Sequence, residues 1–316
     1  MSSSTSLPVP AIKRLIRRTF QQEATVHHIS AIPSTSLNVS YLITLSDNTK
    51  LTLKIPPPSH SRLLRHEAYS LASELAIYQH LQETNPSVVV PKVIASDLSM
   101  ETLGTSFFLT TSVQGHPLCD HYPSFTSSRR RALDRQLGSF VLSTRSLVSS
   151  TFGPLYPPFP TPSWRLAFTS LLESALRDAE DVLLALPYET IRFSVAHHSP
   201  TLDAVREARL VLLNLAVDDP GLICDDEGAL VGISGATTAI WGDPRLARVF
   251  EDPTTAFYEG LGSHVPKDGV RGLLYTLYRS VVIIVEEYYR PSREKRELEA
   301  RKKLTSSLTR LAELGN

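Results

Sequence analysis

The spacing of apolar positions changes several times along the chain, and each change marks an element. Within residues 1–22, Ile12, Leu15, Ile16 and Phe20 recur at helical spacing with Lys13, Arg14, Arg17 and Arg18 between them, which predicts an amphipathic helix. From 26 to about 56 the period shortens. Val39–Leu45 (VSYLITL) and 51–55 (LTLKI) read as two strands joined by the turn Ser46-Asp47-Asn48-Thr49-Lys50. Helical spacing returns over 62–82, carried by Leu63, Leu64, Leu71, Leu75, Tyr78 and Leu81. Further helices are predicted over 129–148, over 164–186 with Ser163 as N-cap, over 269–289, and over a charged C-terminal stretch at 293–314. The proline-rich 152–162 reads as an extended surface loop. Two short apolar runs, Leu222–Cys224 and 229–233, flank the acidic turn Asp225-Asp226-Glu227-Gly228 and read as a hairpin.

Composition narrows the partners more than the fold. The 316 residues are 42% hydrophobic and 20% charged, with 32 basic and 32 acidic side chains, so the formal net charge is zero and nucleic acid is not an expected partner. No apolar run approaches the roughly 18 residues that a membrane helix needs; Val281–Val285 is too short and leads into Glu286-Glu287. Membrane is therefore not an expected partner either. Cys119 and Cys224 have no CxxC or metal-ligand spacing, and a reduced, cytoplasmic setting fits them. Residues 1–22 hold serines and arginines and no acid, a look shared with mitochondrial presequences; the plainer reading is a surface helix with its cations in solvent.

Lys54 interrupts an otherwise apolar strand, and a buried ammonium needs a partner or a ligand. On the following helix Glu74 is the first candidate and Glu67, two turns earlier on about the same face, the second. The stretch 211–244, VLLNLAVDDPGLICDDEGALVGISGATTAIWGDP, then supplies the most specific pattern. It resembles the catalytic core of the aminoglycoside phosphotransferase and choline kinase-like family, which reads HGDLxxxN, strand, acidic turn, strand, an IDW-type triplet and WGDP. Other segments resemble the family in the same order: NPSVVVPKVI, FFLTTSVQGHPL, TRSLVSSTFGPL with Arg145 where a histidine is common, and ALRDAED followed by LPYETIR, similar to fungal members.

The resemblance covers roughly Val39 to Tyr289 and implies an α+β, two-lobed protein-kinase-like fold. It divides the chain into an N-terminal extension at 1–25, a small β-rich lobe over 26–115 and a larger helical lobe over 116–316. It implies ATP and magnesium as cofactors, with Lys54 and Glu74 on the phosphates and the adenine on backbone groups of the passage that contains Thr111 and Val113. The residues at 33–38, where the family covers the phosphates, include no glycine.

At the chemical positions the chain departs from the family. Asn214 stands at the catalytic aspartate, Gly221 at the metal-binding asparagine and Gly235 at the second metal-binding aspartate. In phosphoryl transfer, metal ions bridge the phosphates and an aspartate accepts the proton of the attacking hydroxyl. An amide cannot take that proton and glycine offers a metal no side chain. The expectation is a kinase-like protein that binds a small molecule or a protein partner without ordinary kinase activity, in support of small-molecule metabolism, secondary metabolism among its forms. Two alternatives stand beside it: a weak ATP-dependent kinase in which Asp218 or Asp219, in a loop about two residues longer than the family's, serves as base or metal ligand; and a fold repurposed for a different small-molecule reaction. Gly232-Ile233-Ser234-Gly235 is one residue short of a GxSxG elbow, and the adjacent pairs His27-His28 and His197-His198 make poor chelates.

Overall fold

The computed structural model describes residues 9–32, 37–85, 88–144, 146–263, 269–291 and 296–315. In chain order these form α1 (Val9–Thr19), β1 (Val26–Ile32), β2 (Val39–Leu45), β3 (Lys50–Ile55), α2 (Ser70–Thr84), β4 (Val93–Asp97), β5 (Phe107–Thr111), β6 (His116–Pro117), α3 (Leu118–His121) and α4 (Ser127–Thr144). There follow β7 (Val148–Ser149), β8 (Gly153–Pro154), α5 (Trp164–Asp181), α6 (Tyr188–His198), β9 (Ala208–Leu212), β10 (Leu222–Cys224), β11 (Leu230–Ile233), β12 (Ala239–Gly242), α7 (Thr255–Leu261), α8 (Val270–Tyr289) and α9 (Glu297–Leu314). Two compact units emerge: Met1–Ser61 with Tyr69–Leu133 and Val217–Thr237, and Arg62–Ala68 with Asp134–Ala216 and Thr238–Asn316. The expected phosphate-covering residues 33–36 and Arg145 lie outside the described residues.

The first unit is built on an antiparallel sheet in the order β1-β2-β3-β5-β4. Side chains alternate across a strand, so Leu51, Leu53 and Ile55 of β3 point to one face and Thr52 and Lys54 to the other. The first face is covered by α1, whose Ile12, Leu15 and Ile16 pack with Tyr41, Ile43, Leu53 and Phe107. Burying those three side chains contributes roughly 1.5–3 kcal/mol each. The amphipathic pattern of the first residues thus has a packing partner within the unit, while Lys13, Arg14, Arg17 and Arg18 are exposed. On the other face, α2 buries Ser70, Leu71, Glu74, Ile77, Tyr78 and Leu81, a stripe that recurs every three to four residues.

The second unit packs α5, α8 and α9 with the sheet β7-β9-β12-β8 around Trp164, Phe168, Leu176, Val211, Ile240, Leu274, Tyr275 and Ile284. Trp164 Nε1 donates to the Tyr275 hydroxyl at 2.8 Å, and that hydroxyl donates to Asp243 Oδ2 at 2.7 Å. The charged last helix buries a narrow stripe of Ala300, Leu304 and Leu311.

Several sequence expectations differ from the structure. The helix predicted over 129–148 spans Ser127–Thr144, because Val148 is taken into β7 and pairs with Arg209. The helix predicted from 62 begins at Ser70, because 62–68 is tied elsewhere: the Arg65 guanidinium meets Asp178 and Asp181 of ALRDAED, Arg290 holds Glu67, and Leu64 packs with Ala179 and Val285. Glu67 also accepts the Leu64 N–H at 2.8 Å, a local bond that competes with helix. The helix predicted to 186 stops at Asp181, where Leu183 takes a left-handed φ of 53°. The loop at 152–162 is less exposed than its prolines suggest, since Phe152 is buried and exchanges backbone hydrogen bonds with Thr161. No helix among the described residues is long and apolar enough to cross a membrane.

Candidate functional site

In the first unit, the inner face of β3 and the buried stripe of α2 bring a polar cluster together. Lys54 Nζ lies 2.5 Å from Glu74 Oε1, and the two residues are 4% and 0% exposed. Glu74 is thus the partner that the strand lysine needs, and Glu67 is engaged by Arg290 instead. Three residues complete the cluster. Tyr78, one turn after Glu74, donates its hydroxyl to Oε1 at 2.5 Å, and Asn38 Nδ2 donates to Oε2 at 2.8 Å. Ser70, one turn before Glu74, donates to Asn38 Oδ1 at 2.8 Å.

Burial and the Glu74 carboxylate push the Tyr78 phenol well above its ordinary range, so the hydroxyl keeps its proton and remains a donor. Its lone pairs accept the N–H of Gly235 at 2.7 Å. A continuous path therefore runs from the Gly235 amide through Tyr78 and Glu74 to Lys54. Phe108, which pairs with Lys54 across β3 and β5 and shares its face, meets the Tyr78 ring edge-on at 6.0 Å.

The hairpin β10–β11 carries the remaining first-unit candidates. Asp219 Oδ1 accepts the Gly221 N–H at 2.8 Å and its carbonyl accepts the Leu222 N–H, so this carboxylate caps its own loop. Asp218 is exposed. Asp225 shapes the turn, accepting the Ala229 N–H on its side chain. Gly221 is sealed against the other strand: the Ser234 N–H donates to its carbonyl at 2.6 Å, and a Cβ at Gly221 would stand 2.5 Å from the Ser234 carbonyl oxygen. Gly235 has a φ of +103°, a conformation that side chains disfavour. Neither glycine is a simple truncation; the local backbone has closed around the first and left-handed geometry holds the second.

Thr111 spends its N–H on the Lys92 carbonyl and its hydroxyl oxygen on the Lys92 N–H, and Ser112 donates to Lys50. The Val113 N–H makes no hydrogen bond among the described residues, which leaves one backbone donor of this passage available to a ligand. The basic triplet at 129–131 is largely absorbed in packing: Arg129 lies over the Phe125 ring and donates to the Asp226 carbonyl, and Arg130 lies over Tyr122.

In the second unit Asn214 follows β9 directly and is exposed, while its neighbours are fixed by Leu213 N–H to Thr238 and Arg248 N–H to Leu213. Asp243 of WGDP is buried, accepting from Tyr275, Arg271 and the Arg245 N–H. It is spent on packing.

The residues present do not suit magnesium. No group of three His, Cys, Asp or Glu side chains that could hold a metal occurs among the described residues, and the two family positions for metal ligands are glycines. The Lys54 ammonium is held by Glu74, and the Val113 N–H has no hydrogen-bond acceptor among the described residues. Sequence reasoning missed Asn38, Ser70 and Tyr78. The i, i+4 spacing of Ser70, Glu74 and Tyr78 was the available signal for two of them; nothing local marked Asn38.

The sequence signature of the phosphotransferase enzyme family matches residues 28–214. No curated protein matches the chain. Among solved structures, a protein designated a fructosamine-3-kinase from Haemophilus somnus 129PT is similar at 19% identity and a TM-score of 0.67, over 94% of this chain and 96% of that one. One designated an aminoglycoside phosphotransferase from Ralstonia eutropha JMP134 is similar at 10% identity and a TM-score of 0.65, over 98% of each. The APH(2")-IIa of a streptomycin–ATP ternary complex is similar at 14% identity and a TM-score of 0.63, over 98% of this chain and 99% of that one. At these identities the structural likeness is one of fold. With that fold along nearly its whole length and the family's signature over more than half of it, the chain belongs to the phosphotransferase enzyme family.

Proposed function

We propose that this phosphotransferase-family protein binds a small molecule or a protein partner and does not transfer phosphoryl groups. The observation that carries the reading is the closure at Gly221, where the backbone oxygen of Ser234 stands 2.5 Å from the place a side chain would begin. A metal ligand there needs more than a substitution; it needs a different hairpin backbone. Asn214 adds to this, since an amide cannot accept the proton of an attacking hydroxyl. The alternative of a weak kinase asks Asp219 to leave the Gly221 N–H that it caps, and Asp218 and Asp219 to work without the two missing ligands. The ligand is proposed to be an adenine nucleotide or a metabolite, met by the Val113 amide and the Lys54 region. The proposal includes a supporting role in small-molecule metabolism, with a cytoplasmic setting that rests on the cysteine pattern of the sequence rather than on any site residue.

The test is single-turnover transfer. The purified protein is held with γ-labelled ATP, magnesium and a panel of sugar, amine and aminoglycoside acceptors, with water as the default acceptor. The reading expects label release no faster than in buffer, from the wild type and from Asp219→Ala alike. Enzyme-dependent transfer that Asp219→Ala abolishes would establish the kinase alternative.

A further inference from the structure

The buried cluster does something that the loss of metal ligands leaves undone. Fixing a glycine in one conformation costs more backbone entropy than fixing any other residue, and its amide must find an acceptor where water is excluded. In this chain the Gly235 N–H finds the Tyr78 hydroxyl at 2.7 Å, and that hydroxyl is fixed by Glu74 at 2.5 Å. Glu74 is held in turn by Lys54 and Asn38, and Asn38 by Ser70. Every member except Gly235 is almost entirely buried, and both Glu74 oxygens have donors.

We propose that Tyr78 is a positioning residue that fastens the Gly235 loop to the Lys54–Glu74 pair through its hydroxyl, so that this site is organised by the protein alone and takes its ligand without a divalent cation. The proposal rests on the non-transferring reading for its ligand, a metal-free nucleotide or an organic metabolite, but its geometry stands independently of that reading. The hydroxyl supplies one donor and one acceptor at fixed positions, which is what a loop amide and a carboxylate facing each other require. A phenylalanine would fill the same space and supply neither. Because the chain of bonds ends on a charged pair, breaking its middle link disturbs more than a neutral surface bond would.

Amide hydrogen exchange tests this directly. In wild-type protein treated with EDTA, the Gly235 amide is expected to be among the slowest of residues 217–237. Tyr78→Phe should speed its exchange on the order of ten- to hundredfold, leaving the β3 amides within about twofold. Adding magnesium should change neither protein, and the melting-temperature rise given by ATP should be the same in EDTA and in magnesium. The proposal is overturned if Gly235 exchanges as fast as an open loop in EDTA, if magnesium is needed to protect it, or if Tyr78→Phe leaves it unchanged. Should Tyr78→Phe not fold, the wild-type measurement in EDTA decides alone. Phosphoryl transfer by the wild type would overturn the non-transferring reading and leave the exchange result standing; an unprotected Gly235 would do the reverse.

Discussion

Replacing Lys54 by methionine separates an internal counter-ion from a lysine kept for a ligand. The side chain is 4% exposed and its partner Glu74 is 0% exposed, so Lys54→Met leaves a carboxylate in the interior without its cation. Removing one partner of a buried ion pair costs about 3–5 kcal/mol, because the remaining charge stays desolvated and uncompensated. Tyr78 and Asn38 still donate to Glu74, which places the expected loss near the lower end, about 3 kcal/mol. At roughly 2–4 °C per kcal/mol the melting temperature falls on the order of 10 °C. Urea denaturation gives the same loss as a lower midpoint with an unchanged slope. The double variant Lys54→Met/Glu74→Gln removes the stranded charge and keeps an oxygen acceptor for Tyr78, while its amide nitrogen faces the Asn38 Nδ2 donor, so it should recover part of the stability. A Lys54→Met protein within about 0.5 kcal/mol of wild type would refute the reasoning, since that is the behaviour of a lysine with its ammonium in water.

Other perturbations separate structural from chemical roles. Gly221→Ala puts a methyl group 2.5 Å from the Ser234 carbonyl and should cost about 1–3 kcal/mol in urea melts; a neutral result would mean that the hairpin opens easily and that a ligand at 221 is feasible. Asn214→Asp restores a carboxylate but no metal site, so label transfer from ATP should stay at background, and turnover would show that the metal positions are dispensable. Burial, then Asp120, pushes the Cys119 thiol from 9.0 up to about 11, so at pH 8 its thiolate is about a hundredfold scarcer than a free thiol's. Iodoacetamide labelling of native protein should be correspondingly slow and rise with pH through 10; labelling at a free-thiol rate at pH 8 would count against the partial burial of Cys119 beside Asp120.

The sequence made some of this legible and hid the rest for physical reasons. A lysine inside an apolar strand announces a buried charge, and a glutamate on the next helix answers it; side-chain alternation and helical spacing carry that much. Residues 62–68 broke the pattern because Leu63 and Leu64 keep helical spacing while Arg65 and Glu67 are drawn to Asp178 and Arg290, more than a hundred positions away. Such long-range ion pairs leave no local trace. The N-terminal pattern gave a helix, and its burial against β2, β3 and β5 followed only from the sheet having two faces to cover. At the site, the identities of Gly221 and Gly235 were plain, yet their backbones were not: the approach of Ser234 and the φ of +103° are properties of the closed hairpin. Tyr78 reads in sequence as one more apolar position of α2, because its hydroxyl matters only once Gly235 has been brought to it.

The most direct test of the central claim, that no magnesium-supported phosphotransfer site remains, is a thermal-shift titration with ATP and ADP in magnesium and in EDTA. A ligand that binds only the folded protein raises its melting temperature by an amount set by concentration over affinity. The account predicts that any rise is the same in both buffers up to millimolar nucleotide. A rise that appears only with magnesium would contradict it, for it would require metal ligands that neither Gly221 nor Gly235 can supply.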